Sequence, residues 1–297
     1  MKTYVLNLTD PKSSHIVYEV SQFPDGQQSI TLTGIRCENP DEDFIARIES
    51  RMTSFRDVEM IICANQALQQ LQHCTDVELF VPYFLGGRSD RRFVPGSINY
   101  LKEVICPIIN SQYFRRVSVV DPHSDVLEAC LDNFHKMNNH FLVSDALNDI
   151  SGNLEKAKSE VILVSPDAGA YKKIFDVAKA FELEEIITAT KVRDLKTGKI
   201  LHTDVPLSDK LYYDNMKFVI VDDICDGGRT FIEIAKSISM QVPGAKIYLV
   251  VTHGIFSAGF EQLNDYFCTI YTTNSVKDVS GKYEGVDLVK QTNIFYK

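Results

Sequence analysis

Short apolar runs, each ending in small or polar residues, punctuate the chain. In the first half they are Val58–Cys63 (VEMIIC), Val77–Phe84 (VELFVPYF) and Val117–Val120 (VSVV). In the second half they are Val161–Val164 (VILV), Phe218–Val221 (FVIV) and Ile247–Val251 (IYLVV). Unbroken runs of this length, rich in β-branched residues, predict strands buried on both faces, as in a parallel sheet. Tyr100–Ser111, Ser124–Asn133, Lys172–Phe181 and Thr230–Gln241 lie between them with helical patterns. Strands alternating with helices predict an α/β layered architecture, mostly parallel sheets flanked by helices. Three strands in each half suggest two similar domains, 1–147 and 148–297, divided in the polar stretch Leu147–Lys158 (LNDISGNLEKAK).

In such sheets ligands lie beyond the carboxyl ends of the strands. Here those ends read GGRSDRR, DPHSD, SPDAG, DDICDGGRT and THGIFS, rich in Asp, His, Gly and Arg after nearly uncharged strands. The sharpest is Phe218–Phe231, FVIVDDICDGGRTF. Its glycines let backbone approach an anion, and the amides that open the following helix form a phosphate cradle with the helix dipole behind them. Thr230 can add a hydroxyl or cap the helix. Asp222 and Asp223 suit the hydroxyls of a ribose, or waters held on Mg2+.

Composition narrows the class of partner. The 297 residues carry 31 Lys+Arg against 40 Asp+Glu, a formal charge of −9, which disfavours general binding of nucleic acid. Small phosphorylated ligands need only a few local cations. The seven cysteines form no CxxC pair, the pattern of free thiols in a reducing compartment, so a cytoplasmic location is expected. The start, MKTYVLNLTDPK, lacks the apolar core of a signal peptide, and no run reaches the ~18 apolar residues of a membrane span, so no membrane association is expected.

The segment 218–231 resembles the phosphoribosyl-pyrophosphate (PRPP) loop shared by phosphoribosyltransferases and ribose-phosphate diphosphokinases (PRPP synthetases). Further segments resemble the diphosphokinases in particular. FPDGQ (23–27) is similar to an adenine-binding element, implying ATP contacts for Phe23, Asp25 and Gln27, often across a subunit boundary. VPYFLGGRSDRR (81–92) is similar to an ATP-contacting stretch, with Arg88, Asp90 and Arg91 matching and Ser89 in place of a Gln. DPH (121–123) puts His123 where the family has a Mg-ATP histidine, with Pro122 as a departure. VSPDAGAYKK (164–173) puts Asp167 where an acid helps place Mg2+ and Gly169 where backbone approaches the ribose phosphate; Ala170 and Lys173 depart from a Gly and an Arg. TATKVRDLKTGKI (188–200) resembles the flexible catalytic loop, with Lys191 and Arg193 at its Lys-x-Arg positions. THGIF, with His253, matches a segment read as mostly structural. The resemblance runs from about residue 20 to 260 and is weak over Gly34–Glu59 and the last ~35 residues.

The resemblance implies two phosphoribosyltransferase-like domains, an N-terminal one with the ATP site and a C-terminal one with the catalytic and ribose-phosphate loops. It implies transfer of the β,γ-diphosphoryl group of Mg-ATP to the 1-hydroxyl of ribose 5-phosphate, giving PRPP and AMP. Lys191 and Arg193 would be catalytic. Phe23, Asp25, Gln27, Arg88, Ser89, Asp90, Arg91 and His123 would bind ATP. Asp167, Gly169, Asp222, Asp223, Asp226, Gly227, Gly228, Arg229 and Thr230 would bind the ribose phosphate, with His123 and Asp167 near Mg2+. A homo-oligomer with a shared ATP site is expected. Arg229 replaces the Gly usual before the loop Thr, and an added guanidinium could contact a second phosphate. The same chemistry on ADP-ribose therefore stays open, as do a one-domain phosphoribosyltransferase and a non-catalytic nucleotide-binding homologue.

Overall fold

The computed structural model describes residues 1–36, 42–193, 200–207, 213, 215–279 and 288–295, without the side chains of 191–193 and 200–202. The chain forms two compact units, Met1–Asn138 with Ile294–Lys297, and Asn139–Asn293.

The first unit holds strands β1 (Lys2–Asn7), β2 (Ile16–Gln22), β3 (Gln28–Ile35), β4 (Phe44–Glu49), β5 (Cys74–Phe80), β6 (Arg116–Val120) and β7 (Phe134–Met137). Five form a parallel sheet in the order β1-β4-β5-β6-β7, while β2 and β3 pair antiparallel as a separate hairpin. Helix α1 (Phe55–Leu68) corrects the strand expected at Val58–Cys63. Ser54 and Asp57 form a reciprocal capping box, and Val58, Ile61, Ala64 and Leu68 make one buried stripe at helical spacing. A six-residue apolar run is too short to separate strand from helix; the cap and the longer period decide it. The strand role passes to β4, where Arg47 and Glu49 interrupt the apolar signal and form an ion pair at 3.4 Å. A single π turn (Leu101–Ile105) runs into α2 (Cys106–Asn110). The helix expected over Ser124–Asn133 shrinks to α3 (Val126–Cys130), followed by extended Leu131 and by Asn133 at φ +53°.

The second unit begins with α4 (His140–Ser151) and α5 (Leu154–Glu160), joined at Gly152 with φ +83°. The division expected after Leu147 falls inside α4, whose Leu142, Val143, Ala146 and Leu147 are buried in one cluster with Leu163, Val219 and Val250 of this unit. Then come β8 (Val161–Ser165), α6 (Tyr171–Phe181), β9 (Ile186–Thr188), β10 (Thr190–Arg193), β11 (Ile200–Asp204), β12 (Lys217–Cys225), α7 (Arg229–Gln241), β13 (Lys246–Gly254), α8 (Glu261–Asn264), β14 (Thr269–Thr273) and β15 (Val289–Thr292). Six strands form a parallel sheet ordered β15-β14-β13-β12-β8-β9, and β10 and β11 form an antiparallel hairpin. Phe218 and Ile220 of β12 enter the cluster with α7, whereas Val219 and Val221 enter the cluster with α4 and α6. Both faces are covered, which is why FVIV shows no polar alternation. Among the described residues no helix is long and apolar enough to cross a membrane.

Candidate active site

In the second unit the candidate residues gather where β8 and β12 end, as side-by-side parallel strands require. After Cys225 the chain turns through Asp226, Gly227 and Gly228 into α7. Gly228 has φ +78°, and a Cβ there would stand 2.9 Å from Leu263 Cδ2, so conformation and packing both demand glycine. Gly227 is different: a Cβ would meet Ser257 Oγ at 3.7 Å and Ala258 Cβ at 3.9 Å, ordinary contacts. The turn is braced from β13's end. Ile255 N and Phe256 N donate to Cys225 O, and Ser257 N donates to Asp226 O. Ser257 Oγ donates to Asp226 Oδ1 at 2.6 Å. No side chain caps the first turn of α7 and no acid lies in it, so its amides face outward with the helix dipole behind them. Arg229 is exposed and makes no hydrogen bond or ion pair among the described residues; Thr230 is half-buried.

Asp222 and Asp223 stand side by side, with Asp223 N donating to Asp222 Oδ1 at 2.9 Å. Burial, then the adjacent Asp223 charge, hold the Asp222 carboxyl well above the usual carboxylate range. The nearby cation is Lys173 of α6, whose Nζ lies 3.5 Å from Asp223 Oδ2. At the end of β8, Asp167 Oδ1 accepts from Gly169 N (3.0 Å) and Ala170 N (3.1 Å), shaping the entry into α6, and Ser165 Oγ donates to Asp167 O at 2.8 Å. Lys191 and Arg193 stand on β10, opposite Thr203 and Ile200 of β11; their side chains, and residues 194–199, lie outside the described residues. His253 is buried with Nδ1 2.9 Å from Ser275 Oγ, inside the strand ends.

In the first unit, the loop after β5 and the turn after β6 come together. Ser124 Oγ donates to Asp90 Oδ2 at 2.6 Å, and a Cβ on Gly87 would lie 3.8 Å from His123 Cβ. Asp90 is buried and accepts from Arg91 Nε (2.8 Å) and Nη2 (3.0 Å), a bidentate pair that holds its carboxyl below the usual range. Both Asp90 oxygens thus serve the protein, and Asp90 fixes the exposed Arg91. Arg92 turns away from Arg88 and Arg91 to pair with Glu103 at 2.6 Å. Ser89 accepts from Leu101 N through its carbonyl, closing the base of the loop. Asp121, before His123, adopts φ +42° at the strand end, a strained position of the kind found at functional turns. His123 is exposed. Phe23, Asp25 and Gln27 occupy the tip of the β2–β3 hairpin, where Gln27 N donates to Asp25 Oδ1 and Phe23 N to Gln27 O. That hairpin packs on α1, with Gln28 N donating to Glu59, so the tip belongs to a different sheet from Arg88–Arg91 and His123.

Three positioning residues escape a reading of the sequence. Ser124 and Ser257 reach Asp90 and Asp226 only through the fold, whereas Ser165 braces the local turn at Asp167. Among the described residues no three His, Cys, Asp or Glu side chains form a metal cage. The carboxylates present are hard oxygen donors, suited to Mg2+ that keeps waters and phosphate oxygens as most of its ligands. Cys63, Cys74, Cys106, Cys130, Cys225 and Cys268 form no disulfide.

Residues 132–275 match the model of the phosphoribosyl transferase domain. The chain is 25% identical over 241 residues to a ribose-phosphate pyrophosphokinase of Marinomonas sp., covering 80% of this chain and 71% of that protein. It is 23% identical over 278 residues to one of Pyrococcus abyssi, covering 91% and 88%. The phosphoribosylpyrophosphate synthetase structure from Mycobacterium smegmatis superposes with a TM-score of 0.79 at 14% identity, over 99% of this chain and 95% of that one. The order of strands, the loop into α7 and these likenesses agree: the chain has the phosphoribosyltransferase-like fold and is similar to ribose-phosphate pyrophosphokinases along most of its length.

Proposed function

We propose that this protein transfers the β,γ-diphosphoryl group of ATP to the 1-hydroxyl of ribose 5-phosphate, forming PRPP and AMP. The observation that carries the reading is that one chain holds two such units. One presents the Asp226–Thr230 turn at a helix N-terminus, and the other presents Arg91 and His123 at its own strand ends. A plain phosphoribosyltransferase needs only the first of these.

In this reading the ribose oxygen O1 attacks the β-phosphorus of ATP. The bond from that phosphorus to the α–β bridging oxygen breaks, AMP leaves with the electron pair, and the hydroxyl proton passes to water. The amides of 227–230 and Thr230 hold the 5-phosphate, while Asp222, Asp223 and Asp226 accept from ribose hydroxyls. Arg88 and Arg91 neutralise the ATP phosphates, and Phe23 offers a ring to the adenine of a nucleotide bound by a homo-oligomer. Lys191 and Arg193 stabilise charge on the moving diphosphoryl group. His123 in the first unit and Asp167 in the second would each lie near Mg2+, which would supply charge neutralisation on the phosphates. A cytoplasmic setting follows from the unpaired thiols and the metabolite substrates.

The test is purified protein with Mg-ATP and ribose 5-phosphate, following AMP by chromatography and the product by phosphorus NMR. Equimolar AMP and a ribose 1-diphosphate are expected. ADP as product, or no turnover of ATP, overturns the reading.

A further inference from the structure

Arg229 breaks a local rule. It is the first residue of α7, where the positive end of the helix dipole makes a cation unfavourable. Neither the cap nor the first turn offsets it: the N-cap is Gly228, with no side-chain acceptor, and the first turn has no acid. Glu233, one helical turn further on the same face, is ion-paired with Lys236 at 3.3 Å. Arg229 itself is exposed and makes no hydrogen bond or ion pair among the described residues. A cation placed against the dipole with no internal partner is the kind of local conflict that a bound anion resolves.

The turn beside it already has enough donors for one phosphate, in the amides of 227–230 and the Thr230 hydroxyl. A guanidinium adds a planar fork, which matches phosphate oxygens two at a time. We infer that Arg229 contacts a second phosphate, so that the acceptor site takes a ribose with a free 1-hydroxyl and a diphosphate on its 5-oxygen, as in ADP-ribose. This deepens the proposed function and rests on it. The chemistry is unchanged: O1 of the terminal ribose attacks the β-phosphorus of ATP, AMP departs, and a proton goes to water. The product carries diphosphates at both ends of the ribose.

The experiment compares kcat/KM for ADP-ribose and for ribose 5-phosphate, with AMP release as readout, in the unaltered protein, Arg229→Gln and Arg229→Lys. Expected is turnover of ADP-ribose and a fall of at least ~10-fold in its kcat/KM relative to ribose 5-phosphate in Arg229→Gln, with partial recovery in Arg229→Lys. Thermal denaturation without ligand accompanies it. Arg229→Gln should melt no lower than the unaltered protein, because it removes the conflict with the dipole, so a lost ratio cannot be ascribed to misfolding. Turnover of ribose 5-phosphate alone, or an unchanged ratio in Arg229→Gln, overturns the inference and leaves the proposed function standing. No AMP with either acceptor overturns the proposed function itself.

Discussion

The two units place chemically similar side chains at the carboxyl ends of parallel strands and treat their charge in opposite ways. In the first unit the buried acid, Asp90, is matched by Arg91 and Ser124, and Arg92 by Glu103. In the second, half-buried Asp222 and buried Asp223 are adjacent with Lys173 alongside, and Arg229 has no partner among the described residues against its own helix dipole. The first arrangement is stable by itself and fixes the geometry of a cation. The second is electrostatically incomplete until a ligand arrives. In the proposed function the first would supply fixed cations to a polyphosphate and the second would wait for a sugar phosphate, two different physical devices on the same kind of sheet.

The sharpest way to break this comparison is at the hairpin of the second unit. Lys191→Ala with Arg193→Ala should lower kcat by about 10³-fold or more while far-ultraviolet circular dichroism stays unchanged. Turnover close to the unaltered protein would remove both residues from the reaction. Next in size is the glycine pair. Gly228→Ala must strain a φ of +78° and crowd Leu263, and should cost about 1–3 kcal/mol in urea denaturation. Gly227→Ala should cost less than about 1 kcal/mol and weaken acceptor binding instead.

The acids of the two units should respond to pH with opposite sign. Asp90 has a depressed carboxyl, so its contribution is present above the ordinary carboxylate pKa and is lost as pH falls below about 4. Asp90→Asn should therefore destabilise by about 1–3 kcal/mol at neutral pH and by progressively less in acid. Asp222 has a raised carboxyl, so the folded state holds its proton more tightly and loses stability as pH climbs above about 4 and through the folded value. Asp222→Asn should raise the melting temperature by about 2–4 °C at pH 8 and by less at pH 5. Melting curves of the two variants at several pH values would show parallel trends if the units were electrostatically alike. The smallest effect belongs to Ser257→Ala. Loss of its 2.6 Å bond to Asp226 should raise KM for the acceptor about 3–10-fold with kcat changed less.

The parts of the site legible in the sequence were those whose chemistry is local. A β-branched run, two acids, glycines and a Thr before a helix specify a strand, a turn and an anion-facing helix end within fourteen residues of one another, FVIVDDICDGGRTF. The long-range bonds of the serines were not legible, because Ser124 and Ser257 reach Asp90 and Asp226, 34 and 31 residues away in the chain. Nor did a run of Arg and Asp in RSDRR reveal which charges face outward. Asp90 binds Arg91 and Arg92 binds Glu103, so two of the three arginines in this run already have carboxylate partners.

By itself, then, the sequence determined the α/β class, the strands buried on both faces and the glycine-rich turn, since these follow from short-range periodicity and from residues able to adopt a given backbone. Only the tertiary structure decided that Val58–Cys63 is helix, because the burial stripe that selects it extends to Leu68. It alone decided that α4 belongs with the second sheet, since its apolar face meets Leu163, Val219 and Val250. It decided also which charges are neutralised and which are left open. Pairing depends on residues far apart in the chain arriving within about 3–4 Å, a distance that no local pattern encodes.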